Sequence, residues 1–164
     1  MKVLYLLRHA KSDWGNAALP DAARPLNARG LRAAPLIGEA LRERKVLPNA
    51  IICSPAERAQ QTAALVKAAA GLTAEVKYDE RIYGADVARL LRVVEETDEA
   101  VGSLLLVGHN PGITEFCHYL TGETRRFPTA ALACLNLNMA AWREAHESCG
   151  NLNWMITPKD LQKV

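Results

Sequence analysis

A chain of 164 residues with 49% hydrophobic and 23% charged side chains can bury one core, and it has no apolar stretch long enough to span a bilayer. Twenty basic against eighteen acidic side chains leave a net charge of +2, without the basic block or aromatic-rich basic stripe of a nucleic-acid binder. The expectation is a single domain over residues 1–164, cytoplasmic, with one active site and with neither nucleic acid nor membrane as partner.

Val3 to Leu7 is a continuous apolar run of the kind buried on both faces of a parallel sheet. Arg8-His9 interrupts it and no small-residue cleavage site follows, so it reads as a strand and not as a signal sequence. Arg32 to Arg44 carries helical periodicity, with Pro35 predicting a kink or a later start. Ala50-Ile51-Ile52-Cys53 is a second buried strand, and Glu57 to Ala70 the helix after it. The pattern continues with a strand over 75–78, a helix over 86–96, a strand over 104–107 and a helix over 113–120. Two further strands, 132–137 and 152–156, are expected to pair at an edge. Cys53, Cys117, Cys134 and Cys149 are far apart and form no Cys-x-x-Cys, so buried thiols are expected and no metal site. Strands alternating with helices predict a three-layer α/β/α sandwich around a mostly parallel sheet, with ligands at the carboxyl ends of the strands.

Three strand-to-helix junctions carry reactive or cationic residues: Arg8-His9, Ser54-Pro55-Ala56-Glu57-Arg58, and Gly108-His109-Asn110-Pro111-Gly112. In an open parallel sheet such junctions emerge along one edge, so two histidines and two arginines distant in sequence can converge on one anion. Arg presents a fixed fork of donors to phosphoryl oxygens, and a neutral imidazole is a competent nucleophile near pH 7. His9 is therefore the candidate covalent nucleophile, with Arg8 and Arg58 as the clamp. Locally, Ser54 reads as a helix N-cap with Pro55 and Glu57 completing a capping box, and Asn110 can cap the helix that Pro111 opens. His118 and His146 lack such a setting and read as surface or structural residues.

These motifs resemble the histidine phosphatase superfamily, which includes the cofactor-dependent phosphoglycerate mutases. Its Arg-His-Gly hallmark stands here as Arg8-His9-Ala10. Its second-arginine motif stands as Ser54-Pro55-x-x-Arg58-Ala59-x-Gln61-Thr62-Ala63, and its second-histidine motif as Gly108-His109-Asn110. Within it, Arg8-His9-Ala10-Lys11-Ser12, Arg24-Pro25-Leu26 with Gly30, and Gly108 to Gly112 resemble the small SixA-type phosphohistidine phosphatases.

The resemblance implies a phosphoglycerate mutase-like fold, phosphorylation of His9, and phosphate binding by Arg8, Arg58 and His109. It also implies a carboxylic acid for the leaving group. The segment Asp79 to Gly84 resembles the one that supplies this acid in mutases and points to Glu80; Asp13 and Asp21 are weaker candidates. No metal or cofactor is implied. Ala10 for glycine, Lys11 for an acidic residue, and Gly15 with Asn16 one place beyond the mutase asparagine argue against mutase activity.

The gaps around the motifs leave little room for an inserted lid, and an open pocket suits a phosphorylated protein, such as a phosphohistidine-bearing domain. A small phosphorylated metabolite, held further by Lys11, Arg24 and Arg81, is the alternative. A noncatalytic phosphate-binding domain is another. A Ser54–His109–Asp79 hydrolase and a dinucleotide site are disfavoured, because the Gly-x-Ser-x-Gly elbow and the Gly-x-Gly-x-x-Gly turn are both absent.

Overall fold

A computed structural model describes residues 1–162; the last two positions of the expected domain, 163 and 164, lie outside the described residues. Alternating apolar strands and amphipathic helices generate β1 (Lys2–Arg8), α1 (Ala28–Glu43), β2 (Ala50–Cys53), α2 (Glu57–Ala70), β3 (Val76–Tyr78), α3 (Val87–Glu95), β4 (Ser103–Gly108), α4 (Gly112–Thr121), β5 (Leu132–Leu137), β6 (Gly150–Ile156) and the short α5 (Pro158–Leu161). The six strands form one sheet in the order β3-β2-β4-β1-β5-β6. β3, β2, β4 and β1 are mutually parallel, whereas β5 runs antiparallel to both β1 and the edge strand β6.

Side chains alternate across a strand, so each central strand feeds two cores. Leu4 and Leu6 of β1, with Leu104 and Leu106 of β4, pack under α3 and α4 against Leu90, Val93 and Phe116. Tyr5 and Leu7, with Leu105 and Val107, face Ile37, Leu41 and Val66 of α1 and α2. The helices thus cover both faces, which gives the three layers. Leu6 is fully buried, and Leu6→Ala would cost about 2–5 kcal/mol because transfer and cavity terms add.

α1 begins four residues before the expected start. Asn27 caps it by accepting from Gly30 N at 2.9 Å, and the helix runs through Pro35, which removes one donor without ending it. α2 also departs from the expected cap. Ala56, not Ser54, precedes its first turn, and no side chain caps it. The Ser54 hydroxyl has other partners, described below.

Two glycines seat the loops that overhang the strand ends. A Cβ on Gly30 would lie 2.3 Å from the Lys11 carbonyl oxygen, and one on Gly112 would lie 2.5 Å from that of Ala85. Only glycine lets α1 approach the chain just after His9, and lets α4 approach the segment that ends at Ala85.

Candidate active site

Arg8 ends β1 and pairs in register with Gly108 at the end of β4, so His9 and His109 leave neighbouring strands side by side. Their ring centroids are 5.1 Å apart. β2 lies on the far side of β4 and delivers Ser54, with Arg58 the second residue of α2. Arg8, His9, Arg58 and His109 therefore gather at the carboxyl edge of the sheet. His9 and Arg58 are only 7% and 6% exposed.

Thr62 braces the chain just after β1 against α2. Its hydroxyl donates to the Arg58 carbonyl at 2.7 Å and accepts from Ala10 N at 2.9 Å. Ala10 itself is fully buried.

The hydrogen bonds assign the His9 tautomer. Nδ1 lies 2.7 Å from the Ala10 carbonyl oxygen; a carbonyl only accepts, so Nδ1 carries the proton and Nε2 keeps its lone pair. Burial, helped by the charges of Arg58, Arg8 and Arg24 but opposed by the Ala10 hydrogen bond, lowers the His9 pKa to about 4. Burial and the neighbouring His9, Arg58 and Arg8 likewise lower that of His109 to about 3. Both rings are neutral at pH 7.

Arg8, Arg58 and His109 share a pattern in which one end of the side chain is anchored and a buried nitrogen at the other is left over. Arg8 donates from Nη1 to the Phe127 carbonyl at 2.9 Å. Arg58 donates from Nη1 to the Asp21 carbonyl at 2.8 Å and from Nη2 to Asp21 Oδ2 at 3.0 Å. His109 Nε2 meets Ser54 Oγ at 2.7 Å. Among the described residues, the buried side-chain nitrogens and oxygens without a partner are Arg8 Nε, Arg58 Nε and His109 Nδ1. Leaving such groups unpaired costs about 1–3 kcal/mol each, and all three belong to residues gathered at the same sheet edge as His9.

The carboxylate in this cluster is Asp21, from the loop between β1 and α1. It binds Arg58, accepts from Arg24 Nη2 and Nε at 2.9 and 3.2 Å, and accepts from Tyr83 Oη at 2.6 Å. The Tyr83, Arg24 and Arg58 hydrogen bonds, together with the Arg58 charge, outweigh burial and hold its carboxyl well below the usual carboxylate range. Tyr83 meets the His109 ring edge to face at 5.6 Å.

Glu80 is the expected site residue that is not brought into the cluster. It starts a 3-10 turn (Glu80–Ile82) with its side chain exposed, and among the described residues it has no ion pair. Its neighbour Asp79 caps that turn and pairs with Arg81 at 2.8 Å. Tyr83, three residues on, is what this segment contributes. Sequence reasoning missed it and ranked Asp21 low; the one signal for either was its place within a loop that follows a strand. Asp13 is spent locally, accepting from Gly15 N at 2.7 Å.

His118 and His146 lie apart, bonded to Thr124 Oγ1 at 3.2 Å and to the Glu144 carbonyl at 2.8 Å. The four cysteines are free and buried, and burial pushes the Cys53 thiol up to about 12. Among the described residues no group of three or more His, Cys, Asp and Glu side chains is placed to hold a metal ion.

The sequence and the fold are similar to those of known proteins. Residues 4–89, just over half of the chain, match the model of the histidine phosphatase superfamily (branch 1). An uncharacterised protein of Mycobacterium tuberculosis is 31% identical over 93% of this chain and 100% of its own length. The phosphohistidine phosphatase SixA of Escherichia coli is 30% identical over 97% of this chain and 96% of its own. The structure of the protein histidine phosphatase SixA complexed with tungstate superposes with a TM-score of 0.85 at 26% identity, over 98% of this chain and 99% of that one.

Proposed function

The chain belongs to the histidine phosphatase superfamily as a metal-independent phosphatase of SixA type, and from that premise we propose that its substrate is phosphohistidine on a protein, with His9 as the residue that takes the phosphoryl group. The observation that carries this reading is the ring of orphaned nitrogens, Arg8 Nε, Arg58 Nε and His109 Nδ1, around a neutral imidazole.

His9 Nε2 attacks phosphorus as the bond to the substrate's imidazole nitrogen breaks; the substrate ring, protonated on its other nitrogen, leaves as neutral imidazole, and the phosphoryl group passes to His9. Negative charge on the equatorial oxygens meets the two guanidinium groups and His109. Asp21 fixes the Arg58 guanidinium through one bond to each terminal nitrogen, so that Nε and the second N–H of Nη1 and of Nη2 are donors left for the anion. Water then attacks phosphorus, the bond to His9 Nε2 breaks, and phosphate leaves. The transition state places equatorial charge where fixed donors already stand, so little reorganisation is required.

The nature of the leaving group supports phosphohistidine over an ester. An imidazole leaves with less help than an alkoxide, and the carboxylate nearest the cluster is held ionised and is a poor proton donor. Glu80 is the proposed acid for substrates with worse leaving groups, which requires its exposed side chain to turn inward.

The test is transfer of labelled phosphate from a phosphohistidine-bearing protein to the enzyme, trapped in alkaline quench. Label is expected on the wild type and absent from His9→Ala, whose turnover falls by at least roughly 1000-fold. Normal turnover by His9→Ala overturns the covalent role. Turnover of small phosphoesters with none of phosphohistidine assigns the site to a metabolite.

A further inference from the structure

The charges outside the catalytic cluster are unevenly placed. Of the cations that sequence offered for further anionic groups, Arg24 is consumed by Asp21 and lies 3.4 Å from the centre of the Trp14 ring, and Arg81 is paired with Asp79 and Glu96. Lys11 is different. It lines a groove of about 510 Å³ together with Arg29 and Arg32 of α1, Arg126, and Lys159 of α5. All five are exposed, and among the described residues none of them makes an ion pair.

Among the described residues no carboxylate lines this groove. Asp160 stands next to Lys159 in sequence but is turned back onto its own helix cap, accepting from Thr157 N and Oγ1, both at 3.0 Å. In a chain of net charge +2, five unpaired cations on one concave strip are a concentrated positive field that raises the local concentration of anions.

The groove adjoins the nucleophile. Lys11 follows His9 by two positions. Arg126 precedes Phe127, whose carbonyl anchors Arg8, and the charge of Arg126 helps burial to lower the Arg8 pKa. A substrate seated with its phosphoryl group on His9 would extend along α1 towards α5.

We propose that this groove docks an acidic segment of the phosphoprotein substrate, with Lys11, Arg29, Arg32, Arg126 and Lys159 meeting carboxylates that flank the phosphohistidine. The inference rests on the phosphohistidine reading above. It adds a specificity-determining surface outside the chemistry: charge complementarity selects the protein, and the catalytic cluster acts on whatever phosphoryl group arrives. Exposed pairs of this kind are each worth little and are screened by salt, so selection comes from their sum and weakens as ionic strength rises.

Two phosphohistidyl peptides test this, one with four glutamates beside the phosphohistidine and one with glutamines in their place. The wild type is expected to prefer the acidic peptide by about tenfold in kcat/KM at low salt, with most of the preference lost near 0.3 M salt. The double variant Arg32→Glu, Lys159→Glu is expected to lose the preference while keeping its activity on the glutamine peptide and on p-nitrophenyl phosphate.

Equal turnover of both peptides by the wild type overturns the docking surface and leaves the phosphohistidine reading standing. The same holds if the double variant keeps the preference. Failure on both peptides with activity on p-nitrophenyl phosphate overturns both readings. Inhibition by inorganic tripolyphosphate that the double variant abolishes, without any peptide preference, assigns the groove to a small polyanion and also overturns the proposal.

Discussion

Two segments overhang the carboxyl edge of the sheet, and they reach it differently. The loop from Lys11 to Leu26 returns along itself, with Ser12 bridged to Leu26, and sends Asp21 across the pocket to Arg58. The segment after β3 is a short 3-10 turn whose acidic residues face outward or cap the turn, while Tyr83 faces inward. They meet where Tyr83 Oη donates to Asp21 Oδ2. A motif can bring the right segment to a site without telling which of its side chains looks in. In a turn of three residues, one position decides between solvent and pocket.

If Asp21 positions Arg58, Asp21→Asn has the largest effect. Loss of the charge-assisted contacts is expected to lower kcat/KM by on the order of 10- to 100-fold while His9 still accepts label, measured by steady-state turnover and by trapping. An unchanged rate would reduce the latch to a structural tie. Tyr83→Phe removes one neutral donor from the same carboxylate and is expected to cost roughly fivefold. Glu80→Gln should leave phosphohistidine turnover within about threefold, since an exposed side chain without partners contributes little. A loss of about 100-fold confined to alkyl phosphoesters would instead make Glu80 their proton donor.

Acid sharpens the contrast between the loops and the strand ends, with the smallest consequence for turnover at neutral pH. His9 and His109 are held neutral, with pKa values lowered to about 4 and about 3, whereas the unfolded chain takes up their protons near the ordinary histidine value of about 6.5. The unfolded state binds more protons between those values, so stability falls as pH drops from about 6.5 towards 4. A thermal midpoint lower by on the order of 5 °C at pH 5 than at pH 6.5 is expected, with a flatter dependence in His9→Asn. Asp21 acts in the same direction but at lower pH: its carboxyl is held below the ordinary value of about 3.9, so the Arg58 contact is intact through this window and its contribution is lost only as pH falls below that value.

The layered fold was legible because central strands leave apolar runs, unbroken in Ala50–Cys53 and interrupted by Asn136 alone in Leu132–Leu137, whose limits coincide with the observed strands. Helix starts were less so. Ser54 followed by Pro55 and Glu57 has the local chemistry of a cap, yet its hydroxyl lies 2.7 Å from a histidine 55 residues away. The hydroxyl still accepts from Ala56 N at 3.2 Å, but its shorter contact is a tertiary one that only the fold could supply. Arg32 to Arg44 missed the first turn of α1 because Pro35 was weighed as a breaker, while Asn27 already satisfied the helix start. Arg8, His9, Arg58 and His109 were recoverable because each sits at a junction that topology carries to one edge. Asp21 and Tyr83 were not, since their positions depend on how two loops fold onto each other.

The interleaved order of the sheet bears on how this pocket comes into being. β4 lies between β1 and β2, so His9 cannot face His109 until residues about 100 positions apart have paired, and contacts of that range form slowly. Neither β1 with α1 nor β2 with α2 holds more than half of the set Arg8, His9, Arg58 and His109, and no fragment of the chain assembles the cluster. Regain of activity on refolding is thus a report on closure of the whole sheet, later than any signal from the helices.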